Sequence, residues 1–219
     1  MRKTLIPMAA LGLLLAFAAS ASSQAMSQTA RLASKAMSDK TKAAAFQDAI
    51  DKLWEDHITW TRIFLIDAAA DLPEKSATTA RLLQNQTDIG NAIKPYYGDA
   101  AGNQLTTLLK EHITTAADVV TAAKMNDKAK LADANKRWFA NADAIAAFLS
   151  KANPANWPEK TLRDEMHSHL NLTTEEAVAQ LKGDWNGSIA AYDKVHNQIL
   201  MMADMLADGI IKQFPDKFK

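Results

Sequence analysis

Four of the five histidines in this chain fall where a helix turns inward. His57 follows Phe46, Ile50 and Leu53 and precedes Trp60, Phe64 and Ala68 at helical spacing. His112 lies on the stripe of Leu105, Leu108, Ala116, Val119 and Ala123. His169 shares a face with Leu162 and Met166, and His196 one with Tyr192, Ile199, Ala203, Leu206 and Ile210. Imidazole is a good ligand for zinc, copper, iron and nickel. Four such rings on four helices therefore point to a transition-metal site. Carboxylates stand close by at Glu55, Asp56, Glu111, Asp164, Glu165 and Asp193. Asp193-x-x-His196 and Glu165-x-x-x-His169 place acid and imidazole one turn apart, where they can share an ion or the acid can orient the ring. The expected ligands are His57, His112, His169 and His196, with Glu111 and Asp193 as carboxylate partners. His167 is expected to face solvent. The competing reading makes each inward histidine a hydrogen-bonded core residue, because a buried ring must find a partner or cost stability.

Two of these histidines sit in a repeated phrase. Leu53-Trp54-Glu55-Asp56-His57-Ile58-Thr59 is answered by Leu108-Leu109-Lys110-Glu111-His112-Ile113-Thr114. Downstream, Arg81-Leu82-Leu83-Gln84-Asn85 with Ile89 and Ile93 parallels Arg137-Trp138-Phe139-Ala140-Asn141 with Ile145 and Leu149. A fainter third copy starts at His169-Leu170 and runs to Trp185-Asn186 and Ile189. The pattern predicts helical hairpins with a histidine in each leading helix. Asn85 and Asn141, at matching places, are candidates to cap, to bridge helices or to line a polar pocket.

Methionine adds a copper variant of the metal reading. Met201, Met202 and Met205 lie near His196, and Met166-His167-Ser168-His169 sets a thioether beside imidazoles. Methionine at helical spacing is also ordinary core filler. Trp54, Trp60, Trp138, Trp157 and Trp185 are expected to anchor packing, with N–H groups needing acceptors. Arg62, Arg81 and Arg137 are expected to hold acids across helices.

Helices must position all of this. The periodic runs predict a first helix from about Lys42 to Asp71, a second from about Ala77 to Lys94 and a third from about Gly102 to Lys124. Pro95 and Tyr96-Tyr97-Gly98 separate the second from the third. A fourth covers about Lys128 to Lys151. The longest loop is Asn153 to Pro158, followed by a short helix from Glu159 to Leu170. Thr173-Thr174-Glu175-Glu176 reads as a capping box that opens a last helix to about Ala207, with Gly183 and Gly187 as places for a bend. No period-2 strand pattern appears. The fold class is all-α: an antiparallel bundle of five to six helices with an internal hairpin repeat.

Composition narrows the function. With no Cys, the chain has no thiolate zinc site, iron–sulfur cluster, CxxCH haem attachment or disulfide scaffold. Lys+Arg and Asp+Glu balance at 25 each, so no electrostatic case exists for nucleic acid or an anionic membrane. There is no Gly-rich phosphate loop and no GxSxG elbow. At the N-terminus Arg2 and Lys3, the apolar run Leu5–Ala19 and the small residues up to Ala25 read as a cleaved signal peptide over 1–25. The mature protein is then expected in the periplasm or outside the cell, without a membrane span. Residues 26–41 read as a polar arm or helix start, and 42–214 as one bundle domain.

The phrases Leu53-Trp54-x-x-His57-x-x-Trp60-Thr61-Arg62, Arg81-Leu82-Leu83-x-Asn85, Asn141-Ala142-Asp143-x-Ile145-Ala146 and His169-Leu170-x-x-Thr173 resemble an uncharacterised bacterial family of small helical-bundle proteins. The resemblance covers most of the chain. Scattered members carry glycosyltransferase or acetylglutamate kinase labels, which no nucleotide signature in these residues supports. His57, His112 and His169 match that family's phrases; His196 lies outside them. A more distant similarity is to ferritin-like bundles, which use Glu from two helices and Glu-x-x-His from two others. Here the leading helices carry histidine where that pattern has glutamate. The expected function is an exported, non-enzymatic protein holding a zinc, copper or iron ion. The alternatives are a metal-free structural or protein-interaction bundle and a ferritin-like metal-dependent oxidase.

Overall fold

A computed structural model describes the backbone of residues 11–219 and the side chains from residue 28 onward; the expected signal segment over residues 1–25 lies outside the described side chains. Among the described residues the chain is all helix with no strand. It runs as α1 (Leu11–Ala70), α2 (Lys75–Lys124), α3 (Lys128–Ala152), α4 (Glu159–Lys182) and α5 (Trp185–Gln213), closed by a 3-10 turn at Pro215–Phe218. No helix among these residues is long and apolar enough to cross a membrane.

Two compact units are present. One holds the α1 segment up to Ala44 together with Asp216–Lys219; within it Lys42 Nζ donates to the Lys219 carbonyl and Lys35 pairs with Asp39 at 3.6 Å. The other, Ala45–Pro215, is the helical bundle.

Three hairpins build the bundle, because three left-handed residues stop three helices. Asp71 (φ 53°) ends α1, Asn126 (φ 53°) ends α2 and Gly183 (φ 70°) ends α4. At each stop a backbone N–H reaches back across the last turn at 3.0 Å: Leu72 to Asp67 O, Asp127 to Ala122 O, Asp184 to Ala179 O. This six-to-one bond satisfies a carbonyl the helix leaves orphaned. Two of the next helices start on side-chain caps, with Asp127 accepting from Lys130 N and Asp184 from Gly187 N, while α2 starts at Glu74 without one. Each stop lies fourteen residues beyond His57, His112 or His169, so the hairpin repeat has three equal members.

Between hairpins the chain reverses by other means. Helix α2 is two arms, residues 75–97 and 99–124, joined at Gly98 (φ 83°, ψ 167°) just after Pro95. The reversal brings Gly90 against Gly102 so closely that a Cβ on Gly90 would sit 2.6 Å from the Gly102 carbonyl oxygen. Only glycine fits there. The second reversal is the loop from Asn153 to Pro158. Asn153 Nδ2 donates to the Gly209 carbonyl at 2.9 Å, and Trp157 packs so tightly on Gly209 that a Cβ there would overlap the indole.

The expected capping box does not form. Helix α4 runs unbroken through Thr173, whose hydroxyl donates to the His169 carbonyl at 2.8 Å, four residues back. Glu176 is instead a buried ion-pair partner of Arg62 at 2.7 Å. The stop comes at Gly183, where glycine takes the left-handed conformation without a Cβ penalty. Trp185, expected as a packing anchor, is exposed, whereas Trp54, Trp138 and Trp157 are buried.

Two apolar lobes fill the interior. Phe64, Leu65, Ala68, Leu82, Ile113, Val120 and Ala177 form one. Ile50, Trp54, Ile89, Leu109, Ile145, Met166 and Met202 belong to the other. The three repeat histidines occupy the level between them.

Candidate functional site: a buried trio of imidazoles

His57, His112 and His169 meet in the bundle core at 3%, 4% and 4% exposure. Ring centroids of His57 and His169 are 5.8 Å apart, and those of His112 and His169 6.5 Å. Each ring comes from the leading helix of one hairpin, fourteen residues before its stop.

The returning helix of each hairpin supplies an amide that fixes the ring. His112 Nδ1 lies 2.9 Å from Asn141 Oδ1, and Asn141 Nδ2 donates to the Leu108 carbonyl at 3.1 Å. His169 Nδ1 lies 3.2 Å from Gln198 Oε1, and Gln198 Nε2 donates to the Glu165 carbonyl at 3.1 Å. Asn85 Nδ2 donates in the same way to the Leu53 carbonyl at 2.9 Å. In every hairpin the carbonyl belongs to the residue four before the histidine, and in the second and third hairpins the same amide bridges ring and backbone across one turn. An amide whose NH2 is committed to a carbonyl presents oxygen to the ring, so Nδ1 carries the proton and donates.

The first hairpin has an additional amide. Gln86 Nε2 approaches His57 Nδ1 at 3.2 Å but is nearer the Leu82 carbonyl (2.9 Å) and Asn85 Oδ1 (3.0 Å). Its two hydrogens serve the two nearer oxygens. Gln86 stands 29 residues after His57, the place of Asn141 and Gln198 in the other two hairpins, and Asn85 Oδ1 accepts from it. Gln86 is fully buried and its Oε1 has no partner.

Burial keeps all three imidazoles neutral. It pushes His112 down to about 3, with the neighbouring His169 as a further cause, and His169 down to about 4. His57 is held well below its ordinary value by burial and then by His169 and His112. A neutral ring with Nδ1–H bonded outward keeps a lone pair on Nε2, which is the form a metal requires. At His112 that lone pair accepts the Trp138 indole N–H at 3.2 Å.

Geometry sets a further condition. At a metal–nitrogen bond of about 2.1 Å, imidazole centroids around one tetrahedral ion stand roughly 5 Å apart. The observed separations exceed this by about 1 Å, and among the described residues no three His, Cys, Asp or Glu side chains already hold metal-binding spacing. Closing the trio on an ion would need the rings to approach one another and Trp138 to release His112 Nε2.

The other expected ligands lie elsewhere. His196 Nε2 meets Glu55 Oε2 at 2.7 Å in a half-buried pair, 5.8 Å from the Tyr192 ring centroid. Glu111 and Asp193 are exposed, and Asp164 pairs with Lys160 at 2.6 Å. Glu165 acts only at one remove, its Oε2 accepting from Gln198 Nε2 at 3.0 Å. His167 is partly exposed and bonded to Asp143 at 2.8 Å. Met201 is exposed, while Met166 and Met202 line the second apolar lobe. The arginines bridge as expected: Arg62 to Glu176, Arg81 to Asp56 at 3.3 Å and Arg137 to Asp118 at 3.1 Å.

Sequence reasoning found the three histidines and the matched Asn85 and Asn141 but missed Gln86 and Gln198. A signal was present: Gln198 follows His169 by 29 residues, as Asn141 follows His112. Aligning the faint third copy on Asn186, which lies outside the trio, hides this spacing. No family model, no curated protein and no solved structure matches this chain.

Proposed function

We propose that the bundle is a non-enzymatic binding protein whose His57, His112 and His169 hold one transition-metal ion through their Nε2 atoms. The observation that carries this reading is the convergence of three buried imidazoles, two of them with Nδ1–H tied to an amide that is itself tied to backbone. Such outward anchoring fixes tautomer and ring orientation, and metal sites depend on it. An all-nitrogen set suits zinc, copper, iron or nickel over magnesium or calcium. Export to the periplasm fits a metal-handling role and belongs to the same proposal.

A second reading has its own observation. Trp138 occupies the His112 lone pair, as expected of a polar core network that fixes hairpin register without any ion. Elemental analysis separates the two. The protein is produced without a histidine tag, and zinc, copper, iron and nickel are counted per chain as isolated and after exposure to micromolar metal. One equivalent of a single metal supports the first reading. Metal-free protein that takes up none of the four supports the second.

A further inference from the structure

The lobe lined by Phe64, Leu82, Ile113, Val120, Ala177 and Trp138 is not filled by side chains. It holds a partly open pocket of about 110 Å³. Packed cores hold few voids larger than a water, because an unfilled void forfeits contacts and destabilises the fold. A cavity of this size needs a reason.

Its walls are carbon. The hydroxyls at its edge, Thr61, Thr173 and Thr174, each donate to a carbonyl of their own helix at 2.8 Å. The Trp138 N–H is committed to His112. No donor from these side chains is left for water, and half-buried Asn135 at the rim is the remaining polar lining side chain, short of the two to four partners a water needs to stay. Apolar cavities on the order of 150 Å³ stay dry and take up benzene or xenon. The cavity also nears the surface. Val178 lines it at 37% exposure, beside half-buried Leu131 and Asn135. The pocket therefore reaches the surface beside Val178, Leu131 and Asn135, and a ligand can enter there without unfolding of the bundle.

We propose that this cavity is a binding site for an uncharged apolar molecule no larger than benzene, such as a dissolved gas or a small hydrocarbon ring. The site belongs to the metal-free protein, in which the Trp138 N–H stays on His112.

Methyl-resolved NMR of the metal-free full chain tests it, with xenon standing for a gas and benzene for an organic ring. Expected are saturable shifts confined to the methyls of Leu82, Ile113, Val119, Val120 and Ala177, and a rise in Tm of about 1–2 °C at saturating ligand. Response to xenon alone assigns the site to gas-sized ligands; response to both extends it to rings. Ala177→Leu fills the void and should weaken the response at least tenfold; Ala116→Leu, on the same wall, is the second filling variant should the first fail to fold. Absence of saturable shifts with either probe in the unaltered protein would overturn the proposal. Undiminished shifts in a folded filling variant would overturn it too.

Discussion

Asn141 grips His112 from both sides of one helical turn: its oxygen takes the ring proton at 2.9 Å, and its nitrogen donates to the Leu108 carbonyl at 3.1 Å. Removing it strands a buried N–H and a buried carbonyl together. Asn141→Ala is expected to destabilise the bundle by about 2–4 kcal/mol in urea unfolding, since each orphaned buried group costs roughly 1–3 kcal/mol. A loss under 0.5 kcal/mol would show that the amide is incidental.

Acid should unfold this protein steeply. All three imidazoles have folded values below the ordinary 6.5, with His169 near 4 and His112 near 3. Below pH 6.5 the unfolded chain binds protons that the folded chain refuses. Stability is thus fully present above that pH and falls as pH drops toward 4. Each such histidine contributes a slope of up to about 1.4 kcal/mol per pH unit, so three contribute up to about 4. Stability measured from pH 7 to pH 4 in the metal-free protein should show this fall, and His112→Phe should flatten it by about one proton. A flat profile through pH 5 would contradict neutral burial.

Arg62 and Glu176 form an ion pair in the core, at 2.7 Å with the carboxylate side chain 1% exposed. Burial raises the Glu176 value and Arg62 opposes the rise. Arg62→Met leaves the acid alone in the interior and should cost about 3 kcal/mol, whereas Arg62→Met with Glu176→Met should come within about 1 kcal/mol of the parent. Equal losses in single and double variants would show that Arg62 acts through its stacking over Tyr192, 4.8 Å from guanidinium to ring, and not through the charge.

What the sequence made legible follows from what helical spacing encodes. The inward histidines stand on apolar stripes, and burial follows from the stripe alone. The level at which each ring sits does not, because it depends on where the hairpins turn. Asp71 and Asn126 turn two of them in left-handed conformations that an Asp or Asn adopts without announcing it. His196 lies on an equally good stripe yet meets Glu55 at the flank, since one apolar face is wide enough to place a residue at its edge. Thr173 and Glu176 matched a helix start, but the hydroxyl bonds the preceding turn and the acid bonds Arg62; a four-residue pattern carries no information about either partner.

Close approach at the second reversal gives a test of packing. A Cβ on Gly209 would stand 2.0 Å from Trp157 Nε1. Gly209→Ala must push the buried indole off its seat and is expected to cost about 1–3 kcal/mol despite the higher helix propensity of alanine. A stabilised variant would show that the loop from Asn153 to Pro158 yields freely.

The most direct measurement is a cobalt(II) titration of untagged protein, read by visible absorption, alongside His57→Ala, His112→Ala, His169→Ala and His196→Ala. The account predicts one equivalent bound, tetrahedral-type bands, a change in Trp138 fluorescence as its N–H leaves His112, loss of binding in each of the first three variants and retention in the fourth. No binding by folded protein, or one equivalent still bound when His57, His112 and His169 are all replaced, would contradict it.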